Sequence, residues 1–210
     1  FLRTSRFALS DETARGFSVF CDMVSKRAPA PCAVKGQLSE PMTTGIGLKD
    51  QNERFVFYDD TLRDMITKHL GMKAAWQVQQ LKALGVPAII FFDDPGLVGF
   101  GTSAYISISR EMITAALTEV IQAAHGAGGL VGVHVCANAD WSLLLESRAT
   151  IISFDAYSYF DRFILFDTQL KSFLTAGGML AWGIVPTGNT EDIDKETVDS
   201  LYARLLEQLR

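Results

Sequence analysis

The stretch Leu130–Val135 constrains the fold of this chain more than any other. It is a continuous apolar run with one glycine and one histidine, which is typical of a strand buried in a parallel sheet. Cys136 follows directly, so His134 and Cys136 stand two residues apart where the strand ends. Because side chains alternate along a strand, both should point to the same face. Zinc accepts imidazole and thiolate ligands, so the sequence predicts part of a metal site here.

The alternation of strand and helix recurs along the chain. Apolar runs bounded by Gly, Pro or polar residues predict further strands at 33–38, 87–92, 150–155 and 179–185. Helical spacing predicts helices at 11–27, 61–84, 109–125, 140–147, 168–176 and from about 192 onward. Residues 42–54 are predicted to be a long loop. Five strands interleaved with helices indicate an α/β protein with a parallel sheet.

Polar residues gather where the predicted strands end, among them Gln37, Asp93, His134 and Asp155. In (β/α)8 barrels, that end of the strands carries the chemistry. A doubly wound open sheet is the alternative, but no glycine-rich phosphate turn follows an early strand. We therefore predict an α/β fold with a single (β/α)8 TIM barrel domain over residues 1–210. The barrel is expected to be incomplete, because about five strand–helix units are recognisable.

The composition excludes several classes of function. The chain has 210 residues, of which 48% are hydrophobic and 20% charged, as in one soluble globular domain. A net charge of −5 argues against a nucleic-acid partner, and the apolar runs are too short to span a membrane. The three cysteines, Cys21, Cys32 and Cys136, do not suggest a disulfide framework. We therefore expect a reducing, cytoplasmic location.

Four motifs occur in order, one at each of four predicted strands. They are Lys-Gly-Gln-Leu-Ser-Glu-Pro-Met-Thr at 35–43, Phe-Asp-Asp-Pro at 92–95, His-Val-Cys at 134–136 and Ile-Ser-Phe-Asp at 152–155. Together they resemble the C-terminal barrel of cobalamin-independent methionine synthase, especially its short single-domain relatives. The wider group includes uroporphyrinogen decarboxylase-like, corrinoid-linked methyltransferases. The resemblance covers roughly residues 33–188.

The resemblance implies a zinc-dependent methyltransferase that acts on a thiol, with homocysteine as the acceptor and methionine as the product. His134 and Cys136 match the zinc-binding His-x-Cys pair of the family. Asp155 stands where the family has a glutamate ligand at the end of the next strand. The family's last ligand, a cysteine on the final strand, has no counterpart near Trp182. The implied cofactor is therefore Zn²⁺, with His134, Cys136 and Asp155 as its ligands.

The resemblance also implies how the substrates bind. Asp93 matches the aspartate that holds the amino group of homocysteine, and Ser39 in the first motif is the other expected substrate contact. The partners implied are a small thiol and, as methyl donor, a methylated corrinoid protein or a folate. From the residues alone, the pair Asp93-Asp94 is equally consistent with capping the turn that follows.

Two alternatives remain open at this point. One is a related chemistry, either a corrinoid-linked methyltransferase for another thiol or a decarboxylase-like enzyme. The other is a non-catalytic, ligand-binding barrel that has lost the full zinc site. The shorter carboxylate of Asp155 and the missing cysteine favour this second alternative.

Overall fold

The computed structural model of the chain describes residues 5–210, so residues 1–4 of the predicted domain lie outside the described residues. The strands are β1 (Val34–Ser39), β2 (Ala88–Asp93), β3 (Leu130–Val135), β4 (Ile151–Phe154) and β5 (Met179–Trp182). The helices are α1 (Asp11–Ser25), α2 (Pro41–Gly47), α3 (Asp60–Lys82), α4 (Arg110–Gly126), α5 (Trp141–Leu145), α6 (Ala156–Phe163), α7 (Asp167–Thr175), α8 (Thr190–Lys195) and α9 (Val198–Gln208). Single 3₁₀ turns occur at 56–58, 95–99, 103–105 and 164–166.

All five strands are parallel and lie in the order β1-β2-β3-β4-β5. Each strand is therefore beside its neighbour in the sequence, and every crossover steps in the same direction. Right-handed crossovers that step in one direction place their helices on one face of the sheet. In a doubly wound sheet, by contrast, the direction of winding reverses. The predicted α/β fold with a parallel sheet is confirmed, and this winding is consistent with part of an α/β barrel.

The core lies between the sheet and helices α3 and α4. Fully buried strand residues facing the helices are Ile90, Phe92, Val131, Val133 and Ile152. The helices contribute Ala74, Val78, Leu81, Leu117, Val120 and Ile121. Burial of each large aliphatic side chain contributes about 1.5–3 kcal/mol. Gly36 lets α3 approach β1, since a Cβ there would lie 2.4 Å from Gln77 Oε1 and 3.2 Å from Leu81 Cδ1.

Helix α2 occupies part of the segment that the sequence predicts to be a loop. Its Gly/Thr composition does not suggest a helix, although Pro41 in the first turn is a start signal. The Glu40 side chain caps the helix, but glutamate is not a usual N-cap residue, so the sequence alone does not indicate this cap. Helix α6 was also not predicted, because its Tyr, Ser and Phe residues have modest helix propensity. The predicted final helix is two helices, because Thr197 caps a new one with Ser200. Strand β5 ends at Trp182, three residues earlier than predicted.

Other boundaries agree with the sequence to within a few residues. The sequence offers Asp59 or Asp60 as the cap of α3 and Ser109 as the cap of α4. In the structure, Asp59 caps α3 by accepting from the Leu62 amide, and Ser109 caps α4 by accepting from the Met112 amide. Among residues 5–210, the helices lack the combination of length and apolar character needed to cross a membrane.

Candidate functional site

Four polar residues share one register row at the carboxyl end of the sheet. Ser39 pairs with Asp93, Asp93 with His134, and His134 with Ser153. Residues at one register in a parallel sheet point to the same face. Their sequence neighbours, such as Phe92 and Val133, face the helices, so these four residues point to the opposite face. We call Ser39, Asp93, His134 and Ser153 the polar row.

His134 is oriented by the next strand. Its Nδ1 lies 3.0 Å from Ser153 Oγ, and the ring is half-buried. This contact leaves Nε2 without a partner among residues 5–210. A histidine held through one ring nitrogen can present the other to a metal or a proton, as metal-binding histidines commonly do.

The two predicted substrate contacts are adjacent and available. Asp93 is half-buried and Ser39 is exposed, and the two are register partners on β2 and β1. The Asp93 carboxylate has no hydrogen-bond partner within the described part of the chain. A free carboxylate beside a hydroxyl group is suited to an ammonium group, since charge-assisted hydrogen bonds are the stronger ones.

Unlike the members of the polar row, the three predicted zinc ligands do not form one group. Cys136 is exposed and lies just beyond β3. The Asp155 carboxylate instead caps helix α6, with Oδ1 accepting from the Ser158 amide at 3.0 Å. Residues 5–210 contain no group of three His, Cys, Asp or Glu side chains arranged to hold a metal ion. The types of ligand fit zinc, but the described residues do not form a three-ligand centre from His134, Cys136 and Asp155.

Two buried acids behind the polar row were not recognised as functional in the sequence. Glu40 follows Ser39, Asp94 follows Asp93, and both have 0% exposure. Glu40 Oε2 accepts from the amides of Met42 (2.6 Å) and Thr43 (3.2 Å). The available signal was a repeated pattern, an acid followed by proline directly after a strand, as in Glu40-Pro41 and Asp94-Pro95.

Thr43 connects the two acids. Its hydroxyl group donates to Asp94 Oδ1 at 2.8 Å and accepts from the Gly96 amide at 2.9 Å. The Leu97 amide also donates to Asp94 Oδ1, at 3.0 Å. The second oxygens, Glu40 Oε1 and Asp94 Oδ2, are buried and have no hydrogen-bond partner among the described residues. We call Glu40, Thr43 and Asp94 the latch.

Burial controls the charge of the latch. It raises the pKa of Glu40 well above its ordinary value, and the nearby Asp94 carboxyl raises it further. Burial likewise raises the pKa of Asp94, to about 6. Two ionised carboxylates without counter-charges would be costly in this position. Burial therefore favours the protonated form of Glu40 and makes simultaneous ionisation of both acids costly.

A cavity of about 680 Å³ lies at the other end of the sheet. Its lining includes Ala149 and Thr150 before β4 and Gly178 before β5. Barrels and open parallel sheets alike bind their ligands at the carboxyl ends of the strands. The polar row is therefore the better candidate site. A scan against protein-family models found no match to the chain, and a search of curated proteins found none either.

Proposed function

We propose that the chain is a methyltransferase that moves a methyl group to a thiol, with homocysteine as acceptor and methionine as product. We further propose that its five strands belong to a (β/α)8 barrel and that it works in the cytoplasm. The observation that carries the proposal is the polar row, which aligns Ser39, Asp93 and His134 at the carboxyl edge of one sheet. The four ordered motifs that resemble cobalamin-independent methionine synthase also support it.

In this proposal, Asp93 and Ser39 bind the acceptor. The Asp93 carboxylate accepts hydrogen bonds from the ammonium group of homocysteine, and the Ser39 hydroxyl oxygen accepts one from the same group. Two contacts on adjacent strands fix the orientation of the thiol, and orientation is a large part of the rate gain in group transfer. The methyl donor proposed is a methylated corrinoid protein or a folate.

His134 and Cys136 are the proposed zinc ligands. When bound, zinc would promote deprotonation of the acceptor thiol. This matters because the ordinary thiol pKa of about 8.5 leaves little thiolate at neutral pH. Ser153 supports this role by fixing the His134 ring through Nδ1. Asp155 would have to release the Ser158 amide to serve as a third ligand.

Metal content and methyl transfer test the proposal together. We expect about one zinc per chain, measured by elemental analysis, in protein purified without added metal. Zinc should be lost in His134→Ala and Cys136→Ser and retained in Cys32→Ser, a control at another exposed cysteine. The wild type should also form methionine from homocysteine and methylcobalamin. Absence of both zinc and methionine formation would overturn the proposal.

A non-catalytic ligand-binding protein is the second candidate. The observation that favours it is the use of Asp155 as a helix cap, which leaves the three-ligand set incomplete. Homocysteine binding without zinc or methyl transfer would select this candidate. Calorimetric titration of homocysteine into wild type and Asp93→Asn supplies that measurement.

A further inference from the structure

Thr43 lies behind the predicted substrate contacts and touches both buried acids. Its amide donates to Glu40 Oε2 and its hydroxyl group to Asp94 Oδ1, so one residue holds two segments of chain 51 positions apart. Helix α2 and the 3₁₀ turn at 95–99 are thereby fixed to each other. Both segments begin directly after a strand that carries a member of the polar row.

The packing around Thr43 is close enough to restrict movement. A Cβ at Gly96 would lie 2.8 Å from Thr43 Oγ1 and 2.9 Å from Ile46 Cδ1, so only glycine allows this approach. The Gly96 amide donates to Thr43 Oγ1 at 2.9 Å. The Thr43 hydroxyl group therefore donates to Asp94 and accepts from Gly96, and the close packing at Gly96 leaves it no space to move.

Backbone hydrogen bonds extend this restraint to the site. The Glu40 amide donates to the Asp93 carbonyl at 3.0 Å, and the Asp94 amide donates to the His134 carbonyl at 2.9 Å. A shift of either acid would therefore move the strand ends that hold Asp93 and His134. Because alternate residues point to opposite faces, the acids are buried while Ser39 and Asp93 are available.

We propose that Thr43 is a positioning residue, which holds Glu40 and Asp94 so that Ser39 and Asp93 meet the ammonium group of an amino-acid thiol. This inference rests on the proposed function and adds a source of selectivity to it. Thr43 does not touch the substrate. It sets the spacing of the two contacts that distinguish an amino-acid thiol from a thiol without an amino group.

Three substitutions separate positioning from general destabilisation. Thr43→Val keeps the shape but removes the hydroxyl group, Thr43→Ser keeps the hydroxyl group, and Thr44→Val removes a neighbouring hydroxyl group as a matched control. Amide hydrogen exchange measures the restraint directly. We expect faster exchange at Glu40, Asp94 and Gly96 in Thr43→Val, and rates like those of the wild type in Thr43→Ser and Thr44→Val.

Calorimetric titration measures the effect on recognition. Homocysteine should bind Thr43→Val about tenfold more weakly than wild type, the change expected when one orienting hydrogen bond is lost. Affinity for 4-mercaptobutanoate, which lacks the amino group, should change by less than about twofold, because Asp93 does not recognise it. A structural defect alone would weaken both ligands equally.

The outcomes distinguish this inference from the proposed function. Unchanged exchange in Thr43→Val, equal weakening of both thiols, or failure of Thr43→Ser to restore binding would each overturn the role of Thr43. Failure of wild type to bind homocysteine would overturn the proposed function, and with it the substrate role assigned here. Faster exchange with selective loss of homocysteine affinity, restored by serine, would establish the inference.

Discussion

The carboxyl ends of β1 and β2 differ from those of β3 and β4, although both pairs use acids to start the segments that follow. Glu40 and Asp94 cap their segments, are fully buried and are tied together through Thr43. Asp155 caps α6 from a half-buried position, and Cys136 at the end of β3 is exposed. The carboxyl edge of the sheet therefore has two halves that differ in burial. We call the ends of β1 and β2 the closed half and the ends of β3 and β4 the open half.

The difference in burial suits the two halves to different roles in the proposed function. In the proposed function, the closed half holds Ser39 and Asp93, whose spacing must match a small ammonium group. In the open half, which the proposal assigns to the metal and the methyl donor, His134 is half-buried and Cys136 is exposed. Sites held by packed neighbours keep their geometry, whereas access requires exposed groups. The predictions below test whether the halves differ as stated.

The largest expected effect on stability is at Gly96. Gly96→Ala places a methyl group 2.8 Å from Thr43 Oγ1 and 2.9 Å from Ile46 Cδ1, so the latch must separate. We expect a loss of about 3 kcal/mol in the free energy of unfolding, measured by urea denaturation. The control is Gly47→Ala in the same region, where a Cβ meets nothing within 4 Å and the expected change is within about 0.5 kcal/mol. Equal effects of the two substitutions would show that the closed half is not tightly packed.

The pH dependence of stability should reveal the buried acids. Because burial raises the pKa of Asp94 from 3.8 to about 6, this residue stabilises the fold below about pH 4 and loses that contribution as the pH rises through about 6. Asp94→Asn mimics the protonated form. It should match wild type near pH 4 and exceed it by about 2 kcal/mol at pH 8. Urea denaturation at several pH values measures this difference, with Thr44→Val as an uncharged control that follows wild type. An Asp94→Asn curve parallel to that of wild type would contradict the account.

The role of Asp155 can be separated into cap and ligand. Asp155→Ala removes the acceptor for the Ser158 amide and should cost about 1 kcal/mol of unfolding free energy. Asp155→Asn keeps a capping oxygen and should lie within about 0.5 kcal/mol of wild type. Equal losses of stability in both variants would argue against the capping role. Loss of zinc in both would instead assign Asp155 to the metal.

The smallest expected effect on stability is at Ser153. Ser153→Ala removes the partner of His134 Nδ1 on the open half, where water can replace it, so stability should change by about 0.5 kcal/mol or less. Zinc affinity should nevertheless fall about tenfold, because residues that orient a ligand histidine contribute that much. Competition with a chromophoric chelator measures the affinity. A large loss of stability with unchanged zinc affinity would show that Ser153 stabilises the fold and does not orient His134 for zinc.

Much of the fold was predictable from local signals. The apolar run before Asp93 and the one around His134 predicted β2 and β3. The acids at 59–60 and Ser109 predicted where α3 and α4 begin. The strand ends placed Asp93 and His134 at one edge, and the register makes them direct partners. These features depend on periodicity and short-range hydrogen bonds, which a sequence displays directly.

The latch could not be predicted in the same way. Thr43 and Asp94 are 51 residues apart, and their hydrogen bond exists only because β1 and β2 pair in one register. Asp155 could be assigned to a cap or to a metal from its position alone, and only the Ser158 contact identifies the cap. Long-range contacts and competition for one carboxylate are properties of the folded chain.

Cobalt substitution tests the central claim most directly, because it identifies the ligands of a metal at the open half. Co²⁺ takes the same types of ligand as Zn²⁺, and a cysteine thiolate bound to it gives an intense charge-transfer absorption. We predict that one equivalent of Co²⁺ produces this absorption in wild type and in Cys32→Ser. The band should disappear in Cys136→Ser and weaken in His134→Ala. Its absence in wild type, or its survival in Cys136→Ser, would contradict the account.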